Sequence, residues 1–368
     1  MSPPVALPSQ PLGKNGPLVP RIGVGLMNIS LFNEHQTAAE KLALMDSAWS
    51  AGEVFWDTGT SIALASLHLC IQSTSLTPAA ADEYGDSEEL IGKWLAANPD
   101  KRDDVFICTK FAMRGHTMDD TGNIALKVDS SPEYCKQAIE RSLKRLGVPY
   151  VDLYYCHRLD KLTPIETTVQ AMVELKAAGK IKHLGLSECS AESLRRACAV
   201  HPITAVQVEY GPGCLAIESP EIRLLETCRE LGVAVVCYSP LGHGLLGGGI
   251  RSFADVSQGN DPRGKFVPAL QVGNIDKNIA VVDQLAELAK TKSMTVGQLC
   301  LGWLLAQGKD VFPIPGTTKV SRLQENVGTM DFEITAAEEQ KVREIVKGLF
   351  APRLHAATGF AFADTPPL

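Results

Sequence analysis

Residues 151–200 read VDLYYCHRLD KLTPIETTVQ AMVELKAAGK IKHLGLSECS AESLRRACAV, and the alternation within them decides the fold. Val151–His157 is a near-continuous apolar and aromatic run, the composition of a strand buried on both faces. Pro164–Ala178 then repeats its apolar residues with helical period. Gly179 follows at the position just past a helix end, where a left-handed backbone favours glycine. The chain re-enters a buried strand at Ile181–Ser187 and a second amphipathic stretch at Ala191–Val200. Strands joined through helices by such short connections lie parallel in one sheet.

The same alternation runs outward in both directions. Upstream strands are predicted at Leu18–Leu26, Val54–Asp57 and Val105–Phe111, with helices at Ala38–Ala51, Glu88–Ala97 and Ser131–Leu146. Downstream strands are predicted at Ala205–Tyr210, Ala234–Pro240 and Val311–Pro315, with helices at Pro220–Leu231, Asp276–Lys290 and Val296–Ala306. Ser131-Pro132-Glu133 reads as an N-cap, a first-turn proline and an acidic first turn, while Gly147 and Gly232 repeat the stop signal of Gly179. Eight strands alternating with helices fit either an open doubly wound sheet or a closed (β/α)8 barrel. An open dinucleotide fold begins with strand, GxGxxG and helix. Gly23 and Gly25 lack that continuation, and the lone GxGxxG, Gly242–Gly247, falls late, in what reads as a flexible loop after the seventh strand. Gly259–Lys265 imitates a phosphate-binding loop, but Phe266 replaces the required hydroxyl residue and no strand precedes it. The prediction is an α/β chain folded as a (β/α)8 TIM barrel.

Composition narrows the function. A 45% hydrophobic content over 368 residues supports one large core, and a net charge of −7 without basic runs points away from nucleic acid and membrane surfaces. The ten cysteines form no CxxC pair; Cys108, Cys156 and Cys237 fall inside strand-like runs and Cys135, Cys198, Cys228 and Cys300 inside helix-like ones, as free buried thiols of a reducing compartment do. Met1–Gln10 is proline-rich without an apolar signal core, and Ser61–Ile71 is too short to span a bilayer, so the expected location is cytoplasmic.

Active sites of α/β barrels lie at the C-terminal strand ends. Those ends carry Asp57, Lys110 and His157, and Tyr84 stands just before the helix that begins near Ser87. Singly each has a plainer reading: Asp57 a helix cap, Tyr84 a loop aromatic, His157 a core histidine. Lys110 resists one, because a charge ending a buried strand needs a partner. Together they suit hydride transfer to a carbonyl. The oxygen then gains negative charge and needs a proton, which a phenol of pKa ~10 gives more readily beside a lysine cation. An aspartate keeps that cation charged and oriented, and a histidine polarises the carbonyl oxygen.

With these residues in place the chain resembles the aldo-keto reductase superfamily, most strongly its YakC-like branch near the pyridoxal reductases. The resemblance rests on Leu12–Gly16, Phe55–Thr58, Tyr84-Gly85 with Ser87-Glu88, Thr109–Phe111, Tyr155–Arg158, Gly185–Glu188, Tyr238–Gly242 and Ile314–Thr318, in that order. It implies one barrel domain over 12–348, with an N-terminal β-hairpin plugging the floor, C-terminal extra helices, and tails at 1–11 and 349–368. It implies a catalytic tetrad of Asp57, Tyr84, Lys110 and His157 and an NADPH/NADP cofactor. Ser187 and Gln207 would meet the nicotinamide amide, and Tyr238 would stack on its ring. Ser239, Pro240, Leu241 and Gly244 would line the pyrophosphate. Pro315, Gly316, Thr317, Thr318, Lys319, Arg322, Glu325 and Asn326 would hold the adenosine end, with Arg322 and Lys319 facing a 2′-phosphate. Many relatives carry a lysine in place of Gly316. No metal is implied, and the partner is a small carbonyl substrate.

One departure stands out. The family places its aspartate and tyrosine five positions apart, in a DTAxxY pattern, whereas Asp57 and Tyr84 are 27 apart. Excising Gly59–Ala80 restores the pattern, so this stretch reads as a retained intron or a gene-model error. If translated, it either bulges from the barrel top, since loop closure grows only logarithmically with length, or displaces Tyr84. The insert gives weight to a rival reading, an NADPH-binding regulatory barrel with little turnover, like the β subunits of potassium channels. Substrate choice is expected from His116–Val128, Gly242–Gly273 and Phe350–Leu368, with Val128, Phe253 and Phe266 as candidate pocket residues, and the oligomeric state is left open.

Overall fold

The computed structural model describes residues 4–30, 36–59, 86–118, 124–258, 261, 263–353 and 359–368. Its first strands, β1 (Ser9–Pro11) and β2 (Leu18–Pro20), pair antiparallel as a hairpin. The barrel strands are β3 (Val24–Gly25), β4 (Phe55–Asp57), β5 (Phe106–Phe111), β8 (Val151–Cys156), β9 (Ile181–Ser187), β10 (Ala205–Glu209), β11 (Ala234–Tyr238) and β12 (Val311–Pro313). A second hairpin, β6 (Met113–Met118) and β7 (Ile124–Val128), stands outside that sheet. The eight barrel strands neighbour one another in the order β12-β11-β10-β9-β8-β5-β4-β3, all parallel. Gly23 N–H donates to Pro313 O at 3.0 Å and Gly25 N–H to Pro315 O at 3.2 Å, which joins the first strand to the last and closes the barrel.

Helices return the chain between strands, among them α1 (Ala38–Ser50), α2 (Ser87–Ala97), α3 (Pro132–Leu146), α4 (Ile165–Ala177) and α5 (Ala191–Val200). Their ends follow local chemistry. Thr37 caps α1 in a full capping box with Glu40, and Ser131 accepts from Tyr134 N–H ahead of Pro132. Gly147, Gly179 and Gly232 adopt φ of 65°, 73° and 70°, as their stop roles require.

Several boundaries differ from the sequence reading. Leu18–Leu26 splits, because its first part pairs with β1 in the hairpin while Val24–Gly25 pairs with β4. The helix expected from Pro220 begins only at Leu224, since Arg223 takes a left-handed backbone with φ 51°. β11 ends at Tyr238 because Ser239 is also left-handed, at φ 48°. The segment Gly242–Gly247 is a kinked 3-10 turn with His243 and Gly244 at positive φ and opens no helix.

Two cores result. The outer one lies between sheet and helices and includes Trp56, Trp94, Tyr154 and Trp303; Val128 and Phe253 pack against it. The inner one fills the barrel with Phe55, Cys108, Leu153, Tyr155, Ala205, Ala234, Val236 and Phe312, joined by Leu12 and Val19 from the first hairpin. Alternation assigns the strands: Trp56 and Tyr154 face out, while Phe55 and Tyr155 face in. Gly185 makes the inner fit possible, since a Cβ there would lie 2.4 Å from the Tyr155 ring. Nine described cysteines are free thiols, most of them buried in strands and helices.

The C-terminal chain is docked rather than loose. Ala363 is buried and exchanges backbone hydrogen bonds with Glu188 and Ser190, each at 2.9 Å. Arg196 holds Thr365 O at 2.8 Å and Pro366 O at 2.6 Å.

Candidate active site

Two residues above the apolar interior layer, the same strands turn polar. β4 steps from Phe55 to Asp57, β5 from Cys108 to Lys110, β10 from Ala205 to Gln207, and β11 from Val236 to Tyr238. Side chains two apart share a face, so these polar groups converge on the C-terminal mouth of the barrel. His157 continues β8, its N–H donating to Phe111 O at 2.9 Å, and is 6% exposed.

Lys110 is completely buried, and its ammonium donates to Asp57 Oδ1 and, at 2.5 Å, to Thr58 O. The second carboxylate oxygen, Oδ2, accepts from Gln207 Nε2 at 2.7 Å. Burial pushes the Asp57 carboxyl above its usual range, and the Lys110 charge and the Lys110 and Gln207 hydrogen bonds pull it back. An unpaired charge at either position would carry a desolvation penalty of several kcal/mol, which the mutual contact offsets. The Lys110 stem runs along Gly59, where a Cβ would come within 2.6 Å of it. Tyr84 and residues 60–80 of the insert lie outside the described residues.

The other candidates form two groups. Near the pair, Ser187 is fully buried, with Oγ accepting from Arg158 at 3.0 Å. Gln207 turns its amide nitrogen to Asp57 rather than outward, a commitment the motif alone did not reveal. Tyr238 is half-buried and its hydroxyl donates to Glu188 Oε1 at 3.0 Å. Ser239, Pro240, Leu241 and Gly244 follow in the turn past β11, with Gly244 at φ 97°.

The second group lies past β12. Pro315 is buried, Gly316 is exposed, and Thr317 and Thr318 are half-buried. Lys319 occupies the N-cap position of the helix Val320–Val327, which carries Arg322, Glu325 and Asn326. Arg322 donates to Glu325 Oε2 at 2.7 Å and to Gly247 O at 3.2 Å, bridging this helix to the turn past β11. Two cations at a helix N-terminus suit a phosphate, because the unpaired N–H groups and helix dipole favour an anion. The exposed Gly316 packs tightly all the same: a Cβ there would lie 3.0 Å from both Asn28 Nδ2 and Gly25 O.

The sequence reading missed a buried charged cluster beside the first group. Glu188, Glu209 and Arg353 join Tyr238 at the mouth. Burial pushes the Glu209 carboxyl up, opposed by Arg353. Glu188 follows Ser187 and was visible as part of a motif; Arg353 lies in the presumed tail and carried no local signal. Among the described residues no group of three or more His, Cys, Asp or Glu is placed to hold a metal, and no helix is long and apolar enough to cross a membrane.

Residues 21–347 match the profile of the aldo/keto reductase family. The chain is 42% identical to the aldo-keto reductase str7 of Strobilurus tenacellus, over 98% of this chain and 99% of that one. It is 36% identical to the NADP(+) aldo-keto reductase yakc of Schizosaccharomyces pombe, over 99% of each. Among solved structures it resembles the glycerol dehydrogenase of Gluconobacter oxydans in fold, with a TM-score of 0.73 at 22% identity and 98% coverage of both chains. A thermostable aldo-keto reductase solved with the inhibitor epalrestat gives a TM-score of 0.68 at 25% identity, covering 92% of this chain and all of that one.

Proposed function

The chain belongs to the aldo/keto reductase family, and from that premise we propose that it reduces an aldehyde or ketone to the alcohol with NADPH, using Tyr84 as the proton donor. The observation that carries the reading is the buried Lys110–Asp57 pair at the open end of the barrel, with His157 just past the end of the neighbouring strand β8. A fully buried ammonium is an expensive feature, and its placement at the strand ends matches a chemical role better than a structural one.

The residues fit a phosphorylated dinucleotide. Lys319 and Arg322 at one helix N-terminus supply donors for a 2′-phosphate, and the half-buried Tyr238 offers a ring face for a nicotinamide. NADPH, when bound, supplies the hydride. Asp57 keeps Lys110 ionised, and Lys110 lowers the cost of leaving Tyr84 as a phenolate once its proton has moved to the substrate oxygen. His157 hydrogen-bonds the carbonyl oxygen and favours the charge that gathers there. The polar ring sits on an apolar floor that excludes water from below.

Loss of NADPH absorbance with a reactive aromatic aldehyde tests the reading. Turnover that disappears in Tyr84→Phe while NADPH still binds is the expected result. Tight NADPH binding without turnover on any carbonyl of a broad panel would instead establish a regulatory barrel.

A further inference from the structure

Beside the Asp57–Lys110 pair lies a second buried ionic cluster, to which the proposed chemistry gives no task. Glu188 is fully buried and holds a left-handed backbone with φ 53°, an unfavourable conformation for a residue with a side chain. Its Oε1 accepts from three donors: the Tyr238 hydroxyl at 3.0 Å, the Glu209 N–H at 3.1 Å and Arg353 Nη2 at 2.5 Å. Arg353 also reaches Glu209 Oε2 at 3.3 Å, and its guanidinium lies 4.3 Å from the Phe362 ring centroid. The C-terminal stretch is tied to the Glu188 turn through the backbone bonds of Ala363 to Glu188 and Ser190.

We propose that Arg353 is a positioning residue for the cofactor: it fixes Glu188, which anchors the Tyr238 hydroxyl and so sets the ring that faces the nicotinamide. This rests on the reading of Tyr238 given above. A tyrosine ring is held at its backbone end by the strand, and a hydrogen bond to a charged acceptor fixes its far end. The acceptor must itself be held, and Glu188 has a second carboxylate, Glu209, close beside it. Without the guanidinium, two buried carboxylates would share the space, and one would take a proton. Arg158 also acts on Glu209 through its charge, but its hydrogen bonds go to His157 O at 2.7 Å and Ser187 Oγ at 3.0 Å, so the direct contact to Glu188 comes from Arg353.

A double-mutant cycle on NADPH affinity, read by fluorescence without substrate, tests this. Tyr238→Phe keeps the ring and removes its anchor; Arg353→Gln removes the cation. Each is expected to raise the NADPH Kd about tenfold, the worth of one charge-assisted hydrogen bond. The double variant should bind no more weakly than the weaker single variant, and kcat should fall less than affinity does. Additive losses in the double variant would overturn the proposal and leave Arg353 with a packing role only. Should Arg353→Gln fail to fold, Arg353→Lys enters the same cycle, keeping the charge but losing the fork that spans two carboxylates. Wild-type protein that binds no NADPH would refute the cofactor reading itself. Normal wild-type binding with an additive cycle would refute only the role of Arg353.

Discussion

Replacing Lys110 with methionine removes one half of a pair that is almost wholly out of water, and the structure sets the size and the pH dependence of the result. Asp57 would keep its hydrogen bond from Gln207 but lose the ammonium that opposes its burial. A buried ion left without its partner costs about 3–5 kcal/mol. At ~2.1 cal/mol/K per residue, a chain of 368 residues has an unfolding entropy of about 0.8 kcal/mol/K, so Tm should fall by about 4–6 °C. The carboxyl can escape part of that cost by protonation. Its folded pKa, already raised by burial, rises further in the variant, while the unfolded value stays near 3.9. A carboxyl with a raised folded pKa binds a proton on folding, so the variant is least handicapped in acid. It loses stability as pH rises through the folded pKa, by up to ~1.36 kcal/mol per pH unit. Thermal melts of wild type and Lys110→Met, compared at the same pH from about pH 5 to about pH 8, should show a widening gap. The double variant Lys110→Met/Asp57→Asn, which buries neither charge, should recover much of the loss while remaining inactive. A gap that stays flat with pH, or a double variant no more stable than Lys110→Met, would refute this account of the pair.

Other outcomes follow from the same geometry. Arg322→Ala should weaken NADPH by about tenfold and leave NADH nearly unchanged, as measured by titration with each cofactor. Gly185→Ala should destabilise by about 1–3 kcal/mol in chemical denaturation, because its Cβ would sit 2.4 Å from the fully buried Tyr155 ring, and Tyr155→Leu in the same chain should relieve part of it. Removing Gly59–Ala80 brings Asp57 and Tyr84 to the family spacing; if the stretch displaces the phenol by ~1 Å, kcat should rise by about 10²-fold. Equal rates with and without the stretch would show that it leaves Tyr84 in place.

Legibility in the sequence tracked the range of the forces involved. Helix stops at Gly147, Gly179 and Gly232 were readable because the left-handed backbone is a local demand. Buried strands such as Ile181–Ser187 were readable because both faces are covered, which shows as an apolar run. Asp57, Lys110 and His157 were readable as polar residues at the ends of such runs. Leu18–Leu26 failed because its division depends on which partner each half finds, β1 or β4. The Met113–Met118 and Ile124–Val128 hairpin carries charged, polar and glycine positions that resemble a loop, and its pairing is with itself rather than with the barrel. Arg353 was invisible for a stronger reason: its partners lie 165 and 144 residues away, and nothing nearby marks it as buried.

Height within the barrel separates what folds this chain from what is proposed to act. Along one inward face, Phe55 precedes Asp57, Cys108 precedes Lys110 and Ala205 precedes Gln207, each pair on the same strand and two residues apart. The lower residues pack an apolar interior that Leu12 seals from beneath, and the upper ones hold a connected set of charges and amides. Because a strand fixes the direction of both side chains at once, packing below orients chemistry above without any dedicated device. It also means that damage should sort by height. Truncating Leu153 to alanine removes inner packing and should cost about 2–5 kcal/mol of stability, with kcat of the surviving folded protein nearly intact. Asp57→Asn leaves the lower layer whole, so its loss of turnover should exceed anything its change in stability explains. If both variants lost stability and kcat in the same proportion, the two layers would be one mechanical unit and the division by height would fail.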